Sequence, residues 1–154
     1  MTVGFNHLGQ LGQLGNQMFQ YAITKSVASK LNVPFKIPNH QNVFDDGIGN
    51  RYTILLFDIF KLESLTNFGF VDTQKYVQEK HFHYDETIFD TSPQEDFSLW
   101  GFFQSEKYFK DIENDIRDDF KFKDELVSSC SSLSKSLDNP IALHIRRGDF
   151  ITNS

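Results

Sequence analysis

The sequence has 154 residues, of which 39% are apolar and 23% are charged, and its formal net charge is −6 at pH 7. A chain of this length and composition can bury one domain-sized core, which excludes a disordered tail, a collagen-like repeat and a low-complexity linker. The acidic balance also argues against a nucleic-acid-binding protein, because such proteins normally carry a basic surface.

The location of the protein is predicted from features that the sequence lacks. No apolar run reaches the roughly 18 residues that a membrane-spanning helix requires. Residues 1–10 contain neither the basic residues nor the apolar stretch of a secretory leader. The single cysteine, Cys130, cannot form an internal disulfide, which suits a reducing compartment. We therefore expect a cytoplasmic protein whose contact with a membrane, where it occurs, is peripheral.

The N-terminal part of the chain is predicted to form a strand, a glycine-rich loop, a helix and a second strand. Apolar and polar residues alternate over residues 2–6 and again over residues 33–37, as they do in strands. Glycines punctuate residues 9–16, and a helical period follows, carried by Phe19, Ile23, Val27 and Leu31. This order is that of a βαβ unit, which predicts an α/β domain with a parallel sheet.

The middle of the chain gives weaker signals. Residues 38–50 are predicted to be a loop because they are rich in Asn, Asp and Gly. Residues 51–62 are apolar without a period that separates helix from strand, and residues 71–96 are weakly patterned. A buried strand is predicted over residues 97–103, where apolar and aromatic residues dominate.

Two helices and a strand are predicted in the last third of the chain. Ser105 is a plausible N-cap for a helix whose apolar residues again recur every four positions, namely Tyr108, Ile112, Ile116 and Phe120. A second helix is predicted over residues 124–137, and Pro140 prevents its continuation. The apolar alternation over residues 141–145 predicts a last strand.

The first candidate site is the loop that leads into the first helix, with candidate residues Gly12, Gly15, Asn16 and Gln17. Glycine allows a tight turn and a close approach of the backbone to a ligand, and the helix N-terminus offers free N–H groups. Such a loop suits a nucleotide sugar, a phosphate or a hydroxylated acceptor. It is neither a Walker loop nor a dinucleotide fingerprint, because both spacings are missing. The alternative is a tight turn that binds no ligand.

The second candidate site is a cluster at the end of the last predicted strand, formed by His144, Arg146, Arg147 and Asp149. Ligands of open α/β sheets bind outside the carboxyl ends of the strands. Arginine binds phosphate through two parallel hydrogen bonds, so one arginine of this pair could face a diphosphate. The alternative is a structural salt bridge at the strand end.

Metal binding is weakly indicated. His81 and His83 would share one face of a strand beside Asp85, but three neighbouring ligands without a distant fourth make a poor zinc site, and surface histidines are the preferred interpretation. Glu113 and Asp115 are interpreted as part of a solvated helix face. No Asp-x-Asp motif occurs, which argues against a metal-dependent glycosyltransferase.

Two further side chains are interpreted as core. Cys130 lies on the apolar stripe of the second predicted helix, together with three leucines. Trp100 lies within the predicted buried strand.

Three segments of the chain form a pattern in a fixed order. They are Leu-Gly-Asn-Gln-Met-Phe-Gln-Tyr-Ala at residues 14–22, Gly-Phe-Phe-Gln-Ser-Glu-Lys-Tyr-Phe at residues 101–109 and His-Ile-Arg-Arg-Gly-Asp-Phe at residues 144–150. On these segments the sequence resembles glycosyltransferase family 11, the α-1,2-fucosyltransferases, from about residue 2 to residue 153. Family members are roughly twice this length, in keeping with two domains.

The resemblance implies a GT-B fold, in which two Rossmann-type domains face each other across a cleft. Residues 1–140 would be the N-terminal Rossmann-like domain on the acceptor side. Residues 141–154 would be the first strand and the arginine signature of the donor-binding domain. The chain is therefore expected to be the N-terminal half of a family member.

The resemblance also implies an activity. L-Fucose would pass from GDP-β-L-fucose to the 2-hydroxyl of a terminal galactose, with inversion and without a metal or other cofactor. Arg146 would contact the β-phosphate with support from Arg147, Asp149 would orient an arginine, and His144 would buttress the strand end. The glycine-loop residues would line the cleft from the N-terminal side. No residue is assigned as the base that accepts the hydroxyl proton.

Two other functions stay open alongside the enzyme. One is a catalytically inactive fragment that binds a nucleotide sugar or a glycan, and the other is a non-functional remnant. The 154 residues alone are expected to be inactive, because a GT-B cleft needs both domains.

Overall fold

The computed structural model describes residues 1–39, 43–45, 51–62, 65, 67–90, 95–139 and 141–145. The chain divides into two units, Met1–Phe122 and Lys123–Ser154. This division places the second predicted helix with the residues that follow it, whereas the predicted domain boundary lies between residues 140 and 141.

The regular elements are taken in chain order. The strands are β1 (Val3–Gly4), β2 (Phe35–Lys36), β3 (Val43–Asp45), β4 (Arg51–Thr53), β5 (Tyr76–Gln78) and β6 (Phe97–Trp100). The α-helices are α1 (Leu14–Leu31), α2 (Leu56–Ile59), α3 (Glu113–Asp119) and α4 (Asp124–Lys135). Two 3-10 helices span Glu86–Phe89 and Glu106–Ile112.

The first unit is built on a parallel sheet of four strands in the order β2-β1-β6-β5. Val3 of β1 lies opposite Phe35 of β2 and Phe97 of β6, and Val77 of β5 lies opposite Leu99 of β6. The order β1-α1-β2, with β2 parallel to β1, is the predicted βαβ unit. The α/β class with a parallel sheet is thus confirmed, and the sheet is compatible with a Rossmann-like domain.

Helix α1 is the central helix of the first unit. Its residues Tyr21, Ile23 and Val27 are fully buried, together with polar side chains on neighbouring faces, so the helix is enclosed on several sides. It ends at Asn32, which adopts the left-handed conformation (φ 54°) and donates its N–H to the carbonyls of the last turn. Among the described residues, no helix combines the length and apolar character needed to cross a membrane.

The core of the first unit is rich in phenylalanine. Phe5, directly after β1, meets Phe103 edge to face with ring centroids 6.4 Å apart, and Phe103 meets Tyr108 in the same way at 5.6 Å. All three side chains are buried. Edge-to-face pairs at these distances add to the stabilisation gained by burying aromatic surface. Phenylalanine is thus a main filler of this core, while other phenylalanines such as Phe82 and Phe122 are exposed.

A polar cluster ties α1 to the end of α3. The Tyr21 hydroxyl donates to Oδ2 of Asp119 at 2.8 Å, and Lys25 forms an ion pair with the same oxygen. Burial, the negative charge of Asp119 and this hydrogen bond raise the pKa of Tyr21 well above its usual range. The cluster holds two elements together that are far apart in sequence.

The middle of the chain contains elements that the sequence did not predict. The predicted loop over residues 38–50 includes β3, which pairs antiparallel with β4. The undecided stretch 51–62 contains β4 and α2, and the weakly patterned stretch 71–96 contains β5. These elements are short, so each gives little periodicity along the sequence.

The helix predicted from Ser105 is interrupted. Ser105 does act as the N-cap, since its hydroxyl accepts from the N–H of Lys107 at 3.4 Å. The first seven residues form the 3-10 helix Glu106–Ile112, and only then does α3 begin. Phe109 has a non-helical φ of −130° inside this segment, and its ring lies 6.0 Å from that of Phe19 on α1. The prediction of a single continuous helix is therefore wrong, because a 3-10 helix precedes α3.

The second unit contains α4, as predicted, but its apolar stripe is not buried. Cys130 is exposed, which contradicts its interpretation as core. Within the described part of this unit α4 is the one regular element, so no described element of the unit covers the stripe. The strand predicted over residues 141–145 is not formed, and these residues are exposed. A strand needs a neighbouring backbone to pair with, and in the described part of the chain this segment is not paired.

Candidate functional site

The carboxyl ends of β1 and β6 are where the fold places the glycine loop. From β1 the chain runs through α1 to β2 on one side, while β6 lies on the other side of β1. Ligands of open α/β sheets bind outside the carboxyl ends of the strands. Residues 9–16 follow β1 and residues 101–104 follow β6, so both segments lie at this edge of the sheet.

Gly12 is required by the geometry of the loop. Its φ is +91°, in the region that side chains disfavour, and a Cβ placed on it would lie 1.8 Å from Nδ2 of Asn16. The backbone of Gly12 therefore packs directly against the Asn16 side chain. Any larger residue would displace Asn16 from its place in the first turn of α1.

Gly15 differs from Gly12 because nothing fills the space beside it. It is exposed in the first turn of α1, and no atom lies within 4 Å of a Cβ placed on it. The N-cap residue Gln13 makes no side-chain capping bond, and the first turn holds no acidic residue. The N–H groups of this turn and the positive end of the helix dipole therefore favour a polar or anionic group beside Gly15.

Asn16 connects the glycine loop to the segment after β6. Its Oδ1 accepts a hydrogen bond from Nε2 of Gln104, which is 88 residues away in sequence. Gln20 on the same helix donates to the carbonyls of Leu11 (2.9 Å) and Gly101 (3.2 Å), and its Oε1 has no partner among the described residues. The two segments singled out separately in the sequence, residues 14–22 and 101–109, are therefore in contact.

Gln17 lies in the interior instead of facing a ligand. It is 1% exposed, and its Nε2 donates to the carbonyl of Thr53 at 2.9 Å. Its Oε1 accepts from the N–H of Leu55 at 2.8 Å. Both ends of the amide are thus bonded to the segment between β4 and α2, which gives Gln17 a structural role in this arrangement.

Glu79 holds the turn after β6, a role that no motif or spacing in the sequence indicates. Its carboxylate accepts from the N–H of Phe102 (2.7 Å) and of Phe103 (3.0 Å). Phe103 is a buried residue with a φ of +53°, a strained conformation for a side chain of this size. Gly101, with φ +152°, leaves room for Glu79, since a Cβ there would lie 2.4 Å from the Cβ of Glu79. The turn directs Gln104 toward Asn16.

Gln104 was also missed as a site residue, although a signal was present. It lies in the segment 101–109 on which the family resemblance depends, directly after a pair of phenylalanines. A polar residue directly after a buried strand marks the carboxyl edge of a sheet. The same reasoning that singled out residues 12–17 would have included it.

The arginine cluster lies mostly outside the described residues. Arg146, Arg147 and Asp149 belong to that part, so their geometry is not described. His144 is described and is exposed, in a segment without regular structure. The predicted donor-binding role of these four residues stays a prediction.

The histidines of the weak metal candidate form a stacked pair. The rings of His81 and His83 are nearly parallel with centroids 4.9 Å apart, and both side chains are exposed. Asp85 is engaged elsewhere, because its Oδ1 accepts from the N–H and the hydroxyl of Thr87. These hydrogen bonds lower the pKa of the Asp85 carboxyl. Among the described residues no three metal-ligating side chains converge.

Two cavities lie away from the carboxyl edge. One of about 330 Å³ is lined by the 3-10 helix Glu106–Ile112 and by α3. The other, of about 520 Å³, is lined by Met1, residues 72–75 and residues 95–96, at the start of β1, β5 and β6. The second lies at the amino end of the strands, the edge where α/β sheets do not normally bind ligands.

The fold is that of an α/β protein in which two loops converge at the carboxyl edge of a parallel sheet. The sequence model of glycosyl transferase family 11 matches residues 3–154. The chain therefore belongs to this family of fucosyltransferases, as its three segments predicted. No curated protein and no solved structure matches the chain.

Proposed function

We propose that this chain belongs to an enzyme that transfers L-fucose from GDP-β-L-fucose to the 2-hydroxyl of a terminal galactoside, with inversion and without a metal. The observation that carries the proposal is the hydrogen bond between Asn16 and Gln104, which brings two family segments together at the carboxyl edge of the sheet. This edge would be the acceptor side of a GT-B cleft.

Inversion requires a single displacement. The galactose O2 forms a bond to C1 of fucose while the bond between C1 and the β-phosphate oxygen breaks, and GDP leaves with the bonding electron pair. The hydroxyl proton passes to a base, for which no residue is assigned. The free N–H groups near Gly15 would hold a hydroxyl or phosphate oxygen close to the backbone.

The leaving group becomes more negative as the bond breaks, so cationic side chains that face it lower the barrier. We assign this role to Arg146, with Arg147 supporting it and Asp149 orienting one of the two guanidinium groups. Arginine is suited to a diphosphate because its planar donors match two phosphate oxygens. His144 would keep the end of this segment in place.

The proposal is tested with the protein isolated from its native source. Labelled fucose should pass from GDP-fucose to lactose, and an α-1,2-specific fucosidase should release it again. Arg146→Ala should lower kcat by about a hundredfold or more, as removal of a group that stabilises transition-state charge does. Arg117→Ala is the matched control, because Arg117 is an exposed arginine paired with Glu113 at 2.7 Å on α3.

Release of free fucose without transfer, or transfer that survives Arg146→Ala unchanged, would contradict the assignment. The 154 residues alone are expected to bind GDP without turnover. Calorimetry on this chain should therefore show saturable GDP binding that Arg146→Ala removes and Arg117→Ala leaves in place.

A further inference from the structure

Three aromatic rings from different elements meet next to the candidate site. His7 follows β1, Tyr76 begins β5 and Trp100 ends β6. The centroid of the His7 ring lies 4.2 Å from that of Trp100 and 5.7 Å from that of Tyr76. The ring centroids of Tyr76 and Trp100 are 6.4 Å apart, and the two rings are nearly perpendicular. We call these three residues the aromatic cluster.

The aromatic cluster is not part of the core. Side chains alternate along a strand, so Trp100 and Tyr76 share the face of the sheet opposite to Leu99 and Val77, which are core residues. Tyr76 is 45% exposed, and Trp100 and His7 are half-buried. The interpretation of Trp100 as core is therefore wrong. Trp100 directly precedes Gly101, so the cluster adjoins the turn that carries Gln104.

A polar group accompanies the rings. Nδ1 of His7 donates to Oε1 of Gln10 at 3.0 Å, since an amide oxygen can only accept. This tautomer leaves Nε2 of His7 as a hydrogen-bond acceptor for a hydroxyl. Aromatic surface with a few polar groups is the usual lining of a small-molecule site.

We propose that the aromatic cluster is a subsite that binds the terminal β-galactoside of the acceptor by stacking. Galactose has an axial O4, which leaves the hydrogens on C3, C4 and C5 on one apolar face of the ring. That face complements an indole or phenol ring, while the 2-hydroxyl at the ring edge stays free to receive fucose. The inference rests on the proposed function, because it assigns the acceptor to this edge of the sheet.

The single tryptophan makes the subsite directly measurable. Titration of the protein with methyl β-D-galactoside should change Trp100 fluorescence with saturation, and methyl β-D-glucoside should change it much less. Tyr76→Ala should weaken galactoside binding about tenfold, since an aromatic contact is removed. Phe122→Ala is the matched control, because Phe122 is 54% exposed and lies after α3, outside the sheet.

A measurement on the unmodified protein removes the dependence on variant folding. Saturation transferred from the protein to methyl β-D-galactoside in NMR should be strongest at H3, H4 and H5. Equal saturation around the ring, no saturable fluorescence change, an equal response to the glucoside or an equal loss in Phe122→Ala would each overturn the subsite.

Steady-state kinetics separates this inference from the proposed function. Tyr76→Ala should raise KM for lactose and leave KM for GDP-fucose unchanged. Fucosyl transfer that is indifferent to Tyr76→Ala would reject the subsite and leave the enzyme in place. Galactoside binding at Trp100 without any fucosyl transfer would reject the enzyme and leave the subsite.

Discussion

At the two glycines of the predicted loop, substitution by alanine should change the free energy of unfolding in opposite directions. Gly12→Ala should lower the free energy of unfolding by about 1–3 kcal/mol, because Gly12 has positive φ and contacts Asn16. Gly15→Ala should raise it by about 0.5–1 kcal/mol, because alanine favours the helix and meets no atom there. Urea denaturation of both variants measures the difference.

The same pair tests ligand binding beside α1. If a substrate approaches Gly15 closely, Gly15→Ala should be the more stable protein and the weaker binder. A variant that is stabilised and binds galactoside and GDP as the wild type does would place the substrates elsewhere. Destabilisation by Gly15→Ala would contradict the open space seen beside it.

Tyr21 should make the stability of the fold decrease at alkaline pH. Its raised pKa means that the folded state holds the phenol proton more tightly than the unfolded chain does. The stabilisation is complete below the unfolded pKa of about 10 and is lost as the pH rises from there toward the folded pKa. The free energy of unfolding should therefore fall by about 1.4 kcal/mol per pH unit above pH 10 through this group.

Tyr21→Phe isolates that contribution. Unfolding by urea between pH 9 and pH 11.5 should show a shallower decline in the variant than in the wild type. The variant should also be less stable at pH 8, because the buried hydrogen bond to Asp119 is gone. Parallel pH profiles for the two proteins would show that Tyr21 does not carry the effect.

Residues in the glycine loop could be predicted because local spacing determines their roles, whereas burial depends on distant parts of the chain. Gly12 lies between β1 and α1 as predicted, whereas α1 begins at Leu14, so Gly15 lies in its first turn and not in the loop. Gln17 was expected to line a cleft, but the segment after β4 covers it. Trp100 was expected in the core, but it lies at the end of β6, where it is only half-buried. The surroundings that bury Gln17 and leave Trp100 half-buried come from distant segments, so local spacing does not reveal them.

At the level of elements, the turn after β6 depends on one carboxylate. Glu79→Gln keeps one acceptor oxygen but loses the charge that strengthens both hydrogen bonds to the backbone of Phe102 and Phe103. The variant should be destabilised by about 1–2 kcal/mol. Glu106→Gln, at an exposed glutamate in the next helical segment, should change stability much less.

Urea denaturation of both variants measures this difference. The midpoint and the dependence of the free energy of unfolding on urea concentration should both be compared with the wild type. In Glu79→Gln the reorganised turn should also weaken galactoside binding, since Trp100 precedes it directly. Equal stability of Glu79→Gln and the wild type would mean that the core around Phe103 alone holds this turn.

Elements were predictable where periodicity extended over many residues. Helix α1 repeats its apolar residues over 18 positions, and α4 over 12. Strand β5 has three residues and owes its place to pairing with β6, and the hairpin of β3 and β4 owes its formation to mutual pairing. When apolar and polar residues alternate over only a few positions, the local sequence does not indicate that the segment pairs as a strand. The break at Phe109 likewise follows from packing against Phe19.

For the whole molecule, the position of the core determines what can fold alone. Among the residues that the structure describes, the buried hydrophobic ones extend from Val3 to Ile116, and these lie in the unit Met1–Phe122. The parallel sheet and both loops of the candidate site belong to this unit, whereas the arginine cluster belongs to Lys123–Ser154. The proposed acceptor and donor contacts are therefore divided between the two units of the chain.

A chain that ends at Phe122 should consequently separate the two proposed contacts. It should unfold cooperatively in urea, with a free energy within about 1 kcal/mol of that of the 154-residue chain, because all elements that bury apolar surface are retained. It should keep the change in Trp100 fluorescence with methyl β-D-galactoside and lose GDP binding. If GDP binds the shorter chain as tightly, the first turn of α1 rather than Arg146 would be the main diphosphate contact. If the shorter chain does not fold, residues beyond Phe122 contribute to a core that the described burial assigns to the first unit alone.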